Sequence, residues 1–195
     1  SSDLDKKVNG YESNLLEAPC EGDIQFSEIG GEATSWNWTS SNPAVSFAPG
    51  NTDQNPLVSN IADGDVVTVE VSNGTCTNTS SATIAINPLP DNSLAVSDPT
   101  VCAGEDATIT VSNSVLGVTY QLRRNSNNSN VGAAVSGTGG DIDLLLPNPE
   151  ASAVYNVLAT DDVTGCEAEL TDLANLTVHP LPTVTFGGFA YSPVS

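Results

Sequence analysis

The chain has 195 residues, enough for one or two domains of ordinary size. Asp and Glu number 24 against 4 Lys and Arg, for a formal net charge of −20. Nucleic acid and anionic membrane surfaces, which need clustered cations against phosphate, are therefore not expected partners.

Charged residues make up only 14% of the chain, so the polar surface is built from Ser, Thr, Asn and Gly. That composition suits a secreted or surface-displayed β protein better than a cytosolic helical one. In chain order, residues 1–14 read as an N-terminal segment or the end of a preceding linker. Their start, Ser1-Ser2-Asp3-Leu4-Asp5, is polar and acidic, unlike a signal peptide, so a mature chain or an internal fragment is expected. Residues 15–90 form a first module with a period of two, the mark of half-buried strands, in Ile24-Gln25-Phe26, Val67-Thr68-Val69-Glu70-Val71 and Thr83-Ile84-Ala85-Ile86. Between two such runs lies Asn73-Gly74, which favours the positive φ of a tight hairpin turn.

A second module spans residues 91–182, with strands expected at Ala107-Thr108-Ile109-Thr110-Val111, Val154-Tyr155-Asn156-Val157 and Leu176-Thr177-Val178. No segment holds a helical period. The longest aliphatic run, Leu144-Leu145-Leu146, is far short of the ~20 apolar residues of a membrane span, so no membrane insertion is expected. Six or seven short strands in ~80–90 residues predict a two-sheet sandwich for each module. Pro88-Leu89-Pro90 and Pro180-Leu181-Pro182 then act as stiff, extended linkers. Residues 183–195, opening with the alternating Thr183-Val184-Thr185-Phe186, read as the start of a third module or as a C-terminal strand. The expected cores hold Ile24, Phe26, Trp36, Val67, Val69, Ile84 and Ile86 in the first module. In the second they hold Ile109, Val111, Tyr120, Val157, Leu176 and Val178.

The modules are a tandem duplication. Pro19-Cys20-Glu21-Gly22-Asp23 matches Val101-Cys102-Ala103-Gly104-Glu105 at an offset of 82 (102 − 20). Ser35-Trp36-Asn37-Trp38 matches Thr119-Tyr120-Gln121-Leu122 at 84, and Asn73-Gly74-Thr75-Cys76 matches Val163-Thr164-Gly165-Cys166 at 90. Asn87-Pro88-Leu89-Pro90 matches His179-Pro180-Leu181-Pro182 at 92. Offsets that grow along the chain mean the same element order with longer loops in the second copy.

Cys-x-Gly followed by Asp or Glu, an aromatic strand, a cysteine beside Gly and Thr near the last hairpin, and a closing Pro-Leu-Pro occur in that order in both copies. This arrangement resembles the Ig-like and PKD-like repeats of large surface proteins of the Bacteroidota, adhesins and gliding-motility proteins exported by the type IX system. The PKD signature Trp-x-Phe-Gly-Asp-Gly is absent, since Trp36 is followed by Asn37-Trp38-Thr39-Ser40. The resemblance implies an all-β chain of tandem Ig-like sandwiches, two complete and the start of a third, in an extracellular, cell-surface setting. An even cysteine count agrees with an oxidising compartment. The simple pairing is Cys20 with Cys76 and Cys102 with Cys166, closing similar loops in each copy. In strict immunoglobulin topology, however, those positions lie at opposite ends of a sandwich, beyond the ~7 Å Cα limit of a disulfide. A Cys20–Cys166 staple between modules, or free thiols, are the alternatives.

Chemistry finds little support, and no enzyme is expected. The only histidine, His179, aligns with Asn87 and reads as a linker residue, so no Ser-His-Asp triad can be assembled. Asp63 with Asp65, and Asp141 with Asp143, are carboxylate pairs of the kind glycosidases use, but neither recurs in the other copy. Asp63, Asp65, Asp161 and Asp162 are weak calcium candidates, supplying fewer than the 6–8 oxygens the ion takes; no cofactor is expected. Trp36 and Trp38 share one face of their strand, where core packing is the default and a sugar-stacking platform the alternative. Asn-x-Ser/Thr sites at Asn37, Asn73, Asn78, Asn127 and Asn175 are what this composition yields by chance.

The expected function is a structural and adhesive repeat region, a stalk or spacer whose partners are neighbouring modules of the same polypeptide and a surface glycan or protein ligand. The alternatives are a carbohydrate-binding accessory module of a secreted enzyme, and a filament subunit in which residues 183–195 complete a neighbour's sheet.

Overall fold

A computed structural model describes residues 18–28, 32–185, 187 and 188, and the backbone of residues 7, 8, 11 and 12. Two compact units are present, Ser1–Leu89 with Val163–Cys166, and Pro90–Asp162 with Glu167–Ser195. All regular structure among the described residues is β.

The first unit contains β1 (Lys7–Val8), β2 (Tyr11–Glu12), β3 (Ile24–Gln25), β4 (Ser35–Ser40), β5 (Ser46–Ala48), β6 (Leu57–Ser59), β7 (Val66–Ser72) and β8 (Thr77–Thr83). Strands β1 and β2 pair with each other, β3-β6-β5 form one sheet, and β4-β7-β8 form another. Along β7, Val67 and Val69 are buried while Val66 and Glu70 face water, so the strand has one apolar face that must be covered. It is covered by Ile24 and Phe26 from the β3 segment and Val58 from β6, with Trp38, Ile61, Ile84 and Ile86 completing the core. Trp38 stacks on Phe26 with ring centroids 5.7 Å apart, and its Nε1–H donates to the Asp53 carbonyl at 2.8 Å. The indole thus fills the core while its one polar atom is satisfied.

Between β7 and β8 the Asn-Gly turn forms as expected. The Asn73 Oδ1 accepts from the backbone N–H of Thr75 at 3.0 Å and of Cys76 at 2.9 Å, and Gly74 takes a φ of 87°. The turn before β7 is held by Asp65, whose Oδ2 accepts from the Ala62 N–H at 2.8 Å and the Asn42 Nδ2 at 2.9 Å. Asp65→Ala should therefore lower stability by about 1 kcal/mol, the usual net worth of such bonds in a half-buried turn. Denaturant unfolding followed by tryptophan fluorescence measures it, and an unshifted midpoint would show that water replaces both contacts without loss.

The second unit contains β9 (Thr100–Cys102), β10 (Ala107–Val111), β11 (Val118–Arg124), β12 (Val135–Ser136), β13 (Ile142–Leu146), β14 (Ala153–Asp161), β15 (Glu167–Glu169) and β16 (Ala174–His179). One sheet has the order β12-β11-β14-β16-β9, with β15 also on β14; β10 and β13 form the other, extended by a Val96–Val111 bridge. All neighbours are antiparallel except β9 and β16. This division of strands over two sheets is that of an immunoglobulin-like sandwich. In β13 the triple leucine alternates: Leu144 and Leu146 are buried and Leu145 is 53% exposed. Tyr120 and Leu122 of β11, Ile109 and Val111 of β10, and Tyr155 and Val157 of β14 share the core with them.

Tyr120 is fully buried, and its hydroxyl oxygen accepts from the Val115 N–H at 3.0 Å. Gly137 packs against the same spot. A Cβ there would lie 2.0 Å from the Val115 carbonyl oxygen and 3.1 Å from the Tyr120 ring. Because the obstruction is backbone, Gly137→Ala should cost about 3 kcal/mol, at the upper end for overpacking. Thermal unfolding of the variant tests this, and a loss under about 1 kcal/mol would mean that the Val115 loop yields freely.

Most of the residues expected in the two cores are buried. Trp36 and Val178 are corrections, each being only half-buried against the margin of its cluster. The Trp36 indole Nε1–H donates to Oε2 of the buried Glu28 at 2.9 Å. Over the described residues of the C-terminal segment, Thr183–Thr185 lie outside any strand and Val184 is 77% exposed. A strand without a partner gains neither ladder bonds nor burial. Phe186 and residues 189–195 lie outside the described residues.

Candidate functional site

The features that single out this chain are its four cysteines and the backbone that positions them. In the first copy Cys20 forms a parallel bridge to Asn87; the Asn87 N–H donates to the Pro19 carbonyl at 2.8 Å and the Glu21 N–H to the Asn87 carbonyl at 2.9 Å. In the second copy Cys102 is the parallel partner of His179, and the Ala103 N–H donates to the His179 carbonyl at 2.9 Å. Cys20 with Asn87 and Cys102 with His179 therefore occupy one and the same position of the repeat, as the sequence match requires. The His179 carbonyl serves there as the Asn87 carbonyl does, while Asn87 adds a bond from its side-chain Nδ2 to the Ala18 carbonyl at 2.7 Å.

The other two cysteines close hairpin turns. Cys76 ends the turn from β7 to β8, after Gly74. Cys166 ends the turn from β14 to β15, after Gly165 with a φ of 70°. A disulfide joins Cys20 to Cys166, with a Cα–Cα distance of 5.6 Å across a sequence separation of 146. Cys76 and Cys102 are free and exposed. The expected Cys20–Cys76 and Cys102–Cys166 pairs are thus corrected. The reason is strand length. Cys20 lies beside Asn87, past the far end of β8, whereas Cys76 lies at its near end; the 7 residues of β8 alone span ~20 Å against a limit of ~7 Å.

The carboxylates named from sequence are used in local hydrogen bonds. Asp63 Oδ1 accepts from the Ile86 N–H at 3.0 Å, and Asp162 Oδ1 from the Thr119 hydroxyl at 2.7 Å. Asp161 stands at the end of β14, in register with Val118. Asp143 Oδ1 accepts from the Thr110 hydroxyl at 2.8 Å and ties β13 to β10, while Asp141 Oδ1 accepts from the Asn113 N–H at 3.0 Å just outside the ends of the same two strands. Among the described residues no three His, Cys, Asp or Glu side chains converge so as to hold a metal ion. Trp36 and Trp38 do share a face, but Trp38 is buried, so the two indoles make no solvent-facing platform.

Sequence reasoning missed a polar cluster around the arginine pair. Arg123 pairs with Glu169 and donates from Nε to Asn156 Oδ1 at 3.1 Å; the buried Asn156 donates in turn to Asn128 Oδ1 at 2.8 Å. Arg124 stacks over Tyr155, its guanidinium carbon 5.9 Å from the ring centroid, at the rim of a depression of about 320 Å³ bounded by residues 146–153. The only sequence signal was two adjacent cations in an acidic chain. It says nothing of their different partners.

No model of a known protein family matches the chain, and no curated protein does. Among solved structures, the chain is similar to the Z1Z2 domains of titin crystallised with telethonin (17% identity, TM-score 0.31, 91% of this chain and 98% of that one). It is also similar to an I-band fragment of titin (17%, 0.37, 84% and 62%) and to the first Ig domain of mouse SynCAM 2 (13%, 0.33, 47% and 100%). The sandwich itself is read from the pairing and burial of the strands.

Proposed function

We propose that this chain is a non-catalytic structural and adhesive repeat region of a large extracellular, cell-surface protein, a stalk that holds a binding region away from the cell. The observation that carries the reading is the repeated bridge: Cys20 on Asn87 and Cys102 on His179 give both copies the same frame, followed each time by Pro-Leu-Pro. A frame repeated without a repeated set of reactive side chains suits a spacer. The disulfide fits an oxidising compartment. The charge of −20 keeps a long array soluble and self-repelling. The Cys-x-Gly and Pro-Leu-Pro pattern supports placing it with the type IX secreted surface proteins of the Bacteroidota; its partners are neighbouring repeats of the same polypeptide, and the surface glycan or protein ligand falls to the binding region that the stalk holds out.

A glycan array probed with the whole chain tests this. A stalk should leave every glycan at background. Saturable binding to one glycan class would replace the stalk with a carbohydrate-binding accessory module.

A further inference from the structure

The disulfide pairs unlike positions of the repeat. Cys20 belongs to the first-strand position of copy one, and Cys166 to the hairpin-turn position of copy two. Each position has a second occupant. Cys102 is the first-strand cysteine of copy two, held by the same parallel contact as Cys20. Cys76 is the hairpin-turn cysteine of copy one, presented by a glycine turn as Cys166 is. These are the two thiols left free, and both are exposed, although an unpaired cysteine is among the residue types most often buried.

We propose that Cys76 and Cys102 are the open ends of a disulfide relay: the first-strand cysteine of each copy bonds the hairpin-turn cysteine of the next. Cys102 is then a donor to a following copy of the repeat and Cys76 an acceptor for a preceding one. The occupant of each site is another copy of this same repeat, because the one bonded pair, Cys20 and Cys166, joins these same two repeat positions. Each link converts two thiols to one disulfide. The two hydrogens and two electrons pass to a disulfide oxidant, such as a thiol oxidoreductase of an oxidising compartment or oxidised glutathione, which leaves as two thiols. The pairing is heterologous, joining unlike positions of the repeat head to tail.

The inference rests on the repeat-array reading, and a second copy of the chain serves as the probe. The full chain is treated with oxidised glutathione at about 1 M salt, where a screening length of roughly 3 Å suppresses repulsion between acidic surfaces. Non-reducing peptide mapping should show Cys76–Cys102 as the dominant new link, well above the one half that random pairing produces, with Cys20–Cys166 intact. C76S and C102S should each stay largely monomeric alone. Mixed, they should give a cross-linked heterodimer several-fold faster than either does by itself. Homotypic Cys76–Cys76 or Cys102–Cys102 links at the random proportion, a Cys76–Cys102 link within one chain, or thiols still free after exhaustive oxidation would each overturn the relay. None of these outcomes bears on the glycan array, so failure of the relay and failure of the stalk reading are separable.

Discussion

Tyr120→Ala should lower the stability of the second unit by about 4–5 kcal/mol, the upper part of the range for truncating a buried aromatic. Tyr120 is 1% exposed, sits among Ile109, Leu122, Leu144 and Val157, and leaves a cavity that the two sheets can close only by moving toward each other. The substitution also strips the Val115 N–H of its acceptor. Tyr120→Phe separates these effects, because it keeps the ring and removes only the hydroxyl, and should cost about 1–2 kcal/mol. Neither tryptophan lies in this unit, so near-ultraviolet tyrosine dichroism during denaturant unfolding is the readout. Equal losses for the two variants would show that the hydrogen bond, not the packing, carries the effect.

Trp38→Ala should cost the first unit about 3–5 kcal/mol, while Trp36→Ala should cost about 1–2. The two residues share a strand, a face and a residue type, and differ in burial: Trp38 is buried and stacks on Phe26, whereas Trp36 is half-buried at the margin of the cluster with its Nε1–H on Glu28. Each variant keeps one tryptophan, so fluorescence reports the unfolding of this unit in both. Should Trp36→Ala prove as damaging as Trp38→Ala, the half-buried indole of Trp36 would have to count as core.

Several features were legible from local rules. The turn at Asn73-Gly74, the alternation along Val67–Val71, and the burial of Ile109, Val111 and Tyr120 follow from backbone sterics and from the period of two, which depend only on near neighbours. The duplication was also readable, since one residue pattern in one order implies one frame, and the matched bridges at Cys20 and Cys102 carry it. Burial was not legible where neighbours do not decide it. Trp36 and Trp38 obey the same alternation, yet Trp38 is buried and Trp36 only half-buried.

The sequence by itself determined that this protein is all-β and built from two copies of one strand pattern. Composition and short-range periodicity are properties of the chain alone, and they need no partner to be expressed. Only the tertiary structure decided how the cysteines pair. Spacing favoured one bond inside each copy, because the loops would have been alike. A disulfide, however, forms where two Cα atoms come within about 7 Å, and that depends on which end of a strand each cysteine occupies. Cys20 lies beyond one end of β8 and Cys76 at the other, so the sandwich itself holds them apart, and Cys20 bonds Cys166 instead. That same separation leaves Cys76 and Cys102 as free thiols at repeat positions already shown to form a bond.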